Sequence, residues 1–302
     1  MIRILAPGVW RKRQRLKALL GPEVSFRFGQ TGQAHAVAGW GLKGGGRAHA
    51  KAKGLPYLAL EDAFLATLGE QRHGYGQLGL IADPVGIYYD ARQPSFSEQL
   101  IQDSASVPET DDDRHLMAML REHRLGKFNS LDPDDLNHTD DVDDYNAIVV
   151  DQIAGDLSIE GGLADSGTFT TMLTAAIDTH GTKGVAVKLH PFDGYGGRQG
   201  HLAELAQRYG LAVLPKRAPW MAFAERASRV YVVSSNAGLE ALIAGASVTT
   251  FGVPFYGGYG LTDDHQTVER RTSKPSLGQL CRAVYQEYGR YWLPGVERQS
   301  TV

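Results

Sequence analysis

The clearest pattern in the chain is a series of short apolar segments in its second half, each followed by a pattern typical of helices. The segments have the composition of strands that are buried on both faces, and they lie at 147–150, 185–188, 211–214, 230–233 and 248–251. The helical patterns lie at 167–177, 201–209, 220–227 and 237–243. Strands that alternate with helices predict βαβ units and a doubly wound parallel sheet, which binds ligands beyond the carboxyl ends of its strands.

The first half has a less regular pattern that also favours an α/β fold. Its predicted strands are 24–28, 57–60, 80–82 and 86–89, and its predicted helices are 10–20, 47–53 and 114–123. Two aspartate-rich runs, 132–135 and 140–144, predict a solvated linker between the halves. We therefore predict an acceptor-binding α/β domain over residues 1–145, a Rossmann-like domain over 146–270 and a C-terminal helical segment over 271–302.

The C-terminal segment carries apolar residues at helical spacing, namely Leu280, Val284, Tyr285 and Tyr288. We expect this helix to pack back across the junction onto the first domain.

Composition narrows the range of possible functions further. The net charge is −3, which argues against a nucleic-acid binder. The single cysteine, Cys281, fits a reducing cytoplasm, and no apolar run approaches the roughly 20 residues that span a bilayer.

Polar residues follow the strands of the second half at the predicted ligand-binding edge. His190 is held there by Pro191 and could donate a hydrogen bond to a phosphate, although a hydrogen-bonded turn histidine is the simpler alternative. The segment 234–236 opens a helix whose free N–H groups favour an anion, and Glu240 could accept from ribose hydroxyls. Simple helix capping is the alternative there.

Three further groups could carry chemistry. Asp151 and Asp156 follow the first strand of this half, where an aspartate could attack an anomeric carbon or simply cap its own backbone. The aromatic, glycine-rich loop 254–264 could stack on a base or a sugar, or could be a mobile surface loop. In the first half, Glu61 and Asp62 could deprotonate an acceptor hydroxyl, or could favour a helix N-terminus.

Several segments together resemble one family, the retaining β-Kdo glycosyltransferases of Gram-negative capsule assembly, of the KpsC type. The resembling segments run in order along nearly the whole chain: 40–41, 55–65, 86–95, 127–129, 150–156, 188–191, 234–244, 251–264 and 290–291. The resemblance implies a GT-B-like fold and transfer of Kdo from CMP-β-Kdo, with retention, onto a Kdo-primed lipid acceptor. The family's larger members carry two such modules, so this chain corresponds to a single module.

The resemblance also implies roles for individual residues. Asp156 is the candidate nucleophile, and Glu61 or Asp62 acts on the acceptor; the alternative to a nucleophile is a same-face displacement. The implied donor-binding residues are Gln152, Lys188, His190, Pro191, Ser234, Ser235, Asn236, Glu240, Tyr256 and Gly257. The implied acceptor-binding residues are Tyr89, Asp90, Arg92 and Asn129.

No metal or cofactor is expected beyond the CMP-Kdo donor. The expected partners are CMP-Kdo and a Kdo-terminated glycolipid, with no nucleic acid. The basic segment 10–17 could contact anionic lipid at the inner face of the inner membrane, or could be an ordinary surface helix. Two alternative functions remain open: another GT-B-like nucleotide-sugar enzyme such as an epimerase, and a non-catalytic polysaccharide-binding module.

Overall fold

The structure is a computed structural model, and it describes residues 1–68, 77–129, 145–215 and 220–291. The strands among these residues are β1 Ile2–Ile4, β2 Phe26–Phe28, β3 Ala36–Trp40, β4 Tyr57–Asp62, β5 Thr67–Leu68, β6 Gly79–Asp83, β7 Phe128–Asn129, β8 Ala147–Val150, β9 Val185–Lys188, β10 Ala212–Val213, β11 Arg229–Val232, β12 Ser247–Thr250, β13 Asp263–Asp264 and β14 Gly289–Tyr291.

The α-helices described are α1 Pro7–Arg11, α2 Arg13–Leu20, α3 Gly46–Lys53, α4 Phe96–Ser104, α5 Asp111–Glu122, α6 Leu157–Gly161, α7 Ser166–His180, α8 Ala203–Tyr209, α9 Trp220–Ala224, α10 Ala237–Ala244 and α11 Leu277–Cys281. Short 3₁₀ turns lie at Thr182–Gly184 and Tyr195–Gly197, and a π-helical segment, Arg282–Tyr288, continues α11.

The second half forms a six-stranded sheet in the order β10-β9-β8-β11-β12-β13, and all of its pairings are parallel. The five strands and four helices predicted here are present, with ends that differ by a few residues. Strand β8 is buried along its whole length, as the apolar run predicted. Because the strands are parallel, the segments that follow β8, β9, β11 and β12 meet at one edge of the sheet.

The first half also forms a six-stranded sheet, in the order β14-β6-β4-β3-β1-β2. Strands β2, β1, β3 and β4 are parallel, whereas β6 runs antiparallel to β4. The strand predicted at 86–89 is wrong. The Asp83 carboxylate accepts hydrogen bonds from the N–H groups of Val85 and Gly86, both at 2.8 Å, and this turn ends the strand.

The helix predicted at 10–20 is two helices, α1 and α2. They meet at Lys12, whose ψ of 0° is not helical and turns the chain between them. The helix predicted at 114–123 begins earlier, at Asp111. Thr110 accepts a hydrogen bond from the N–H of Asp113, and the Asp113 carboxylate accepts one from the N–H of Thr110, so a capping box fixes this start.

The C-terminal segment returns to the first half, as predicted. Helix α11 packs on α5, and the π-helical segment packs on α4. Strand β14 then pairs antiparallel with β6, and the hydroxyl of Tyr288 donates to the Asp83 carboxylate at 2.8 Å. The predicted division at residues 145 and 270 stays a prediction, and the aspartate-rich runs lie outside the described residues.

The two halves share one apolar core and a buried ion cluster. Phe64 of the first half lies 4.8 Å from Phe255 of the second, measured between ring centroids. Glu98 on α4 is buried and accepts from Arg270 at 2.5 Å and from Arg271 at 2.9 Å. Arg271 also donates to the carbonyl oxygens of Pro254 and Gly257. The cluster thus fixes the loop after β12 against the first half.

Candidate functional site

Asp156 begins helix α6 at the ligand-binding edge of the second sheet. One oxygen of its carboxylate, Oδ1, accepts a hydrogen bond from the N–H of Ser158 at 2.9 Å, and the side chain is exposed. Gly155 has a φ of +79°, and this left-handed turn directs the chain into the helix. Asp156 therefore caps α6, as the alternative considered from the sequence predicted. The cap occupies one carboxylate oxygen, and among the described residues nothing donates to the other.

His190 follows β9, the neighbour of β8, and lies within electrostatic range of Asp156. Its Nδ1 accepts from the N–H of Phe192 at 3.1 Å, so the neutral ring carries its proton on Nε2. Burial, and then the charge of Lys188, lower the pKa of His190 to about 4, while Asp156 acts in the opposite direction. At neutral pH the site therefore holds an uncharged imidazole with one N–H to donate.

Lys188 and Pro191 complete this strand end. The Lys188 ammonium lies 5.3 Å from the centroid of the Trp220 ring. Burial lowers the pKa of Lys188, and the nearby carboxylates of Glu240 and Asp151 partly offset that effect. Pro191 is exposed and stands within a turn closed by the N–H of Asp193, which donates to the His190 carbonyl at 2.9 Å.

Gln152 and Ser234 bond to each other rather than projecting freely into the site. The Gln152 side-chain amide donates to the hydroxyls of Ser158 at 3.0 Å and Ser234 at 3.2 Å. In return, its oxygen accepts from the N–H of Ser234 at 3.0 Å, and the Ser234 hydroxyl donates to the Ser158 carbonyl at 2.7 Å. These hydrogen bonds join the ends of β8 and β11 to α6, and so help to hold Asp156, at the start of α6, in position.

The start of helix α10 departs from the simple capping considered from the sequence. The Asn236 side chain makes no cap; its amide donates to Glu240 at 3.0 Å, and its buried oxygen has no partner among the described residues. Ser235 accepts weakly from the N–H of Ala237 at 3.3 Å. Glu240 is buried and also accepts from the backbone N–H of Lys127 at 2.7 Å, so it connects the two halves.

Tyr256 and Gly257 lie in the interior, although the sequence suggested an aromatic surface for stacking. The Tyr256 ring is fully buried, and its hydroxyl donates to the Ser235 carbonyl at 2.5 Å. Gly238 allows this close approach, since a β-carbon there would lie 2.0 Å from the hydroxyl. Tyr256 therefore positions the 235–236 segment and presents no ring face to a ligand. The Gly257 carbonyl is held by Arg271.

Glu61 and Asp62 end β4 at the edge of the first sheet that faces the second half. Glu61 accepts from the N–H of Asp62 at 3.0 Å and from the Trp40 side chain. Burial raises the pKa of Glu61, and the positive charge of Lys127 partly opposes the shift. Asp62 instead accepts from the side-chain amide of Gln77 at 2.6 Å. The two carboxylates are therefore in different surroundings.

Two tyrosines lie within electrostatic range of both Glu61 and Asp156, and a lysine lies beside one of them. Burial raises the pKa of Tyr88 to about 12 and that of Tyr89 further, and both carboxylates contribute to each shift. The Lys127 ammonium lies 3.4 Å from the Tyr88 hydroxyl. Burial disfavours this ammonium, yet the neighbouring Tyr88, Glu61 and Asp62 outweigh it and raise the Lys127 pKa. Glu61 and Asp62 thus act on the Lys127 ammonium, and Asp156 of the second half acts on the two tyrosines beside it.

The four residues implied for the acceptor have varied surroundings. The Tyr89 hydroxyl accepts from the N–H of Leu42 at 3.1 Å. Asp90 binds the Arg92 guanidinium through both oxygens, at 2.7 and 3.1 Å, and Arg92 reaches Glu160 on α6 at 2.5 Å. The Asn129 side chain closes its own turn through hydrogen bonds to Gly126. Arg92, held by Asp90, therefore joins the two halves, whereas the Asn129 side chain bonds within the first half.

Sequence reasoning missed Lys127, Tyr88 and Trp40. All three stand in resembling segments, so the signal was present, but a lysine contact to a distant strand has no local pattern. It also missed an aromatic pair at the mouth of the site, Phe128 of the first half and Phe192 of the second, whose rings are 6.5 Å apart. Both side chains are partly exposed.

No helix in the described part of the chain is long and apolar enough to cross a bilayer. Within the same residues, no group of three or more histidine, cysteine, aspartate or glutamate side chains is arranged to hold a metal ion.

Comparison with known proteins places these features in a family. The family model "Capsule polysaccharide biosynthesis protein" matches residues 134–291, more than half of the chain. The "Capsule polysaccharide modification protein LipA" of Neisseria meningitidis serogroup B is 36% identical over 298 residues, which is 94% of this chain and 42% of LipA. The "Lipopolysaccharide-processing protein LpsZ" of Rhizobium meliloti is 32% identical over 93% of this chain and 62% of its own length. The chain thus spans about two fifths of LipA.

Solved structures agree over the whole chain. The structure titled "Thermosulfurimonas dismutans KpsC, beta Kdo 2,4 transferase" superposes with a TM-score of 0.89 at 33% identity, and covers 100% of this chain and 95% of its own. A second, titled "Thermosulfurimonas dismutans KpsC, beta Kdo 2,7 transferase", has a TM-score of 0.71 at 22% identity over 99% of this chain and 95% of its own, which supports the fold. The predicted GT-B-like fold and the resemblance to KpsC-type proteins are confirmed, and the chain belongs to the capsule polysaccharide biosynthesis protein family.

Proposed function

We propose that this chain is a retaining β-Kdo transferase module, which moves Kdo from CMP-Kdo onto a Kdo-terminated glycolipid. One observation carries the proposal: the exposed carboxylate of Asp156 lies within electrostatic range of the uncharged His190 on one side and of Tyr88 and Tyr89 on the other. The similarity to a protein titled as a β-Kdo 2,4 transferase supports the substrate class and favours that linkage.

The donor would bind at the edge of the second sheet. CMP leaves as a nucleotide with a single phosphate, and the Nε2–H of His190 and the ammonium of Lys188 are the groups that would stabilise it. A nearby phosphate favours the protonated imidazole, so donor binding would raise the low pKa of His190. The buried oxygen of Asn236, which has no partner among the described residues, lies at the same edge of the sheet, after β11, where it could accept a hydrogen bond from the nucleotide.

Asp156 would act as the nucleophile. The carboxylate oxygen that does not cap α6 attacks the anomeric carbon of Kdo, the bond from that carbon to the phosphate oxygen breaks, and CMP leaves with the electron pair. An acceptor hydroxyl then attacks the same carbon from the opposite side and releases Asp156. Two inversions give net retention.

Glu61 is the better candidate for the base that deprotonates the acceptor. Its pKa is raised by burial, which brings a carboxylate closer to the pH at which it exchanges protons efficiently. It also contributes to the pKa shifts of Tyr88 and Tyr89, as Asp156 does, so both carboxylates border the same space. Asp62 is engaged by Gln77 and lies closer to the basic helices of the first half.

The test is incubation of the chain with CMP-Kdo, generated in place, and a synthetic Kdo-primed acceptor, followed by NMR of the product. The proposal predicts one new β-linked Kdo, attached through the 2,4 linkage. An α-linked product, or attachment through another hydroxyl, would contradict it. A chain that binds the acceptor without any turnover would favour the non-catalytic alternative.

A peripheral contact with anionic lipid belongs to the same proposal. The Trp10 ring lies 5.5 Å from Phe28 on the edge strand β2, and Phe28 is 46% exposed. Arg13 stacks over Trp10 at 4.7 Å, and Arg11 and Arg27 are exposed nearby in the chain. Aromatic side chains flanked by arginines suit a negatively charged bilayer surface. Sedimentation with anionic but not with neutral liposomes would support this contact, and equal sedimentation with both would refute it.

A further inference from the structure

Lys12 occupies an unusual position at the edge of the first sheet. It stands at the break between α1 and α2, after the carboxyl end of β1, and its ammonium lies 4.0 Å from the centroid of the Trp40 ring at the end of β3. Glu61 and Asp62 end β4, the next strand along. The ligand-binding edge of this sheet therefore brings the Lys12 ammonium and the Trp40 ring close to the two carboxylates.

The Lys12 ammonium is partly buried and lacks an ion-pair partner among the described residues. Asp62 and Glu61 are near enough to act on it electrostatically, yet neither forms a hydrogen bond or a close ion pair with it. Burial lowers the pKa of Lys12, and the positive charge of Arg15 adds to that effect. A half-buried cation of this kind gains more from an incoming anion than an exposed lysine does.

The position of Lys12 relative to Asp62 is fixed by a chain of hydrogen bonds. Arg15, one turn further along α2, donates to the carbonyl of Gln77 at 3.2 Å. The side-chain amide of Gln77 then donates to Asp62 at 2.6 Å. Helix α2 is thereby tied to the strand end that carries Glu61, so Lys12 is held beside the proposed base.

The proposed acceptor supplies an anion. A terminal Kdo residue is a sugar acid, so the acceptor brings a carboxylate near the hydroxyl that reacts. From the packing of Lys12 on Trp40 beside Glu61, we propose that Lys12 binds the carboxylate of the acceptor's terminal sugar acid and makes the site specific for acidic acceptors. This inference rests on the proposed function and assigns a specificity-determining residue to it.

The position of Lys12 indicates that it binds the carboxylate of the acceptor and not that of the donor. The donor's own carboxylate is attached to the anomeric carbon, which must reach Asp156, and Lys127 is the lysine beside the tyrosines that border Asp156. Lys12 belongs to the other side of Glu61, with α1, α2 and Trp40. An anion held by Lys12 therefore belongs to the molecule that Glu61 deprotonates.

The test compares two phosphate-free acceptors, a synthetic Kdo glycoside with a free carboxylate and the same compound as its carboxamide. For the carboxylate acceptor, Lys12→Met should raise KM by about tenfold or more, with a smaller change in kcat, because a charge-assisted hydrogen bond is lost. The carboxamide should be equally poor for both proteins, Lys12→Arg should recover much of the loss, and KM for CMP-Kdo should not change.

Lys17→Met is the matched control, since Lys17 is an exposed lysine on α2, the helix that follows Lys12. Equal losses on both acceptors, or an equal loss in Lys17→Met, would overturn the assignment. Methionine keeps the apolar stem over Trp40, and a thermal melt shows whether each variant is folded. A wild-type chain that transfers Kdo to neither acceptor would overturn the proposed function itself, and this inference with it.

Discussion

The two sheet edges that face each other across the site are built differently. At the edge of the second sheet, polar side chains satisfy one another: Gln152, Ser158 and Ser234 form a closed set of hydrogen bonds. At the edge of the first sheet, charged groups stand close together without such satisfaction, since Lys12 and Glu61 make few hydrogen bonds and both have shifted pKa values.

This difference separates the residues that hold the site in place from the charged residues that an incoming ligand can pair with. A satisfied hydrogen-bond set holds its neighbours rigidly in place, and here it supports Asp156 and the strand ends of the donor side. Half-buried charges keep unsatisfied interactions that an incoming ligand can complete, and they shift pKa values toward the range useful for proton transfer. Gln152 and Ser234, which the sequence suggested as direct ligands, hydrogen-bond to each other in the structure, and their role as ligands stays a prediction.

The largest effect that would sharpen this comparison is expected at Glu61. Glu61→Gln removes the proposed base and should lower kcat by about 10²–10⁴-fold, while CMP binding is retained. Asp62→Asn is the matched control, because asparagine preserves an acceptor for Gln77, and it should lose less than about tenfold. In the wild type, kcat should fall as pH falls through the raised pKa of Glu61, because the base must be deprotonated. Equal losses in the two variants would contradict the assignment.

The next effect concerns the buried ion cluster that joins the halves. Glu98→Gln leaves the buried Arg271 and the partly buried Arg270 without a counter-charge, so the free energy of unfolding should fall by about 3–5 kcal/mol. Asp111→Asn breaks an exposed, solvent-screened ion pair with Arg114 and should leave the free energy of unfolding nearly unchanged. Urea unfolding of both variants measures the difference. Similar small losses would show that the cluster does not hold the junction.

A smaller effect is expected at the donor edge. His190→Gln should weaken CMP binding by about tenfold, because the Nε2–H donor is displaced, whereas His35→Gln, at an exposed histidine of the first half, should leave it unchanged. Isothermal titration calorimetry at neutral pH measures both. An unchanged affinity in His190→Gln would remove His190 from the donor site.

The smallest effect is the pH dependence of stability at the same residue. The pKa of folded His190 is lowered from 6.5 to about 4, so between these values the unfolded chain binds the extra proton and stability falls as pH falls. The melting temperature of His190→Gln should therefore drop less than that of the wild type between neutral pH and about pH 5. An identical drop in both proteins would mean that the imidazole is not buried in its neutral form.

The same contrast explains how far the sequence could predict the structure. In the second half, each buried strand is directly followed by its polar segment, so hydrophobic pattern located both the sheet and the positions of Asp156 and His190. In the first half, β1 is three residues long and contains Arg3, and β3 is rich in small residues, so neither stands out by pattern. Strand β14 joins that sheet from the far end of the chain.

Side-chain contacts between distant segments were beyond prediction from local pattern. Glu240 accepts from the N–H of Lys127, which is 113 residues away in the sequence, and no helical or strand periodicity encodes that pairing. The glycines around Tyr256 suggested a surface position for its ring. In the structure the ring is buried, and its hydroxyl donates to the Ser235 carbonyl. The resemblance supplied the general location of these residues, and the structure added their hydrogen-bond partners and burial.

The most direct test of the central claim is intact-mass analysis of the chain after incubation with CMP-Kdo in the absence of acceptor. The account predicts a gain of one Kdo in the wild type and none in Asp156→Asn, which keeps the cap on α6 but loses the nucleophile. Asp165→Asn, at the aspartate that caps α7 in the same manner, should gain Kdo normally. A Kdo adduct in Asp156→Asn, or full transfer activity without Asp156, would contradict the account.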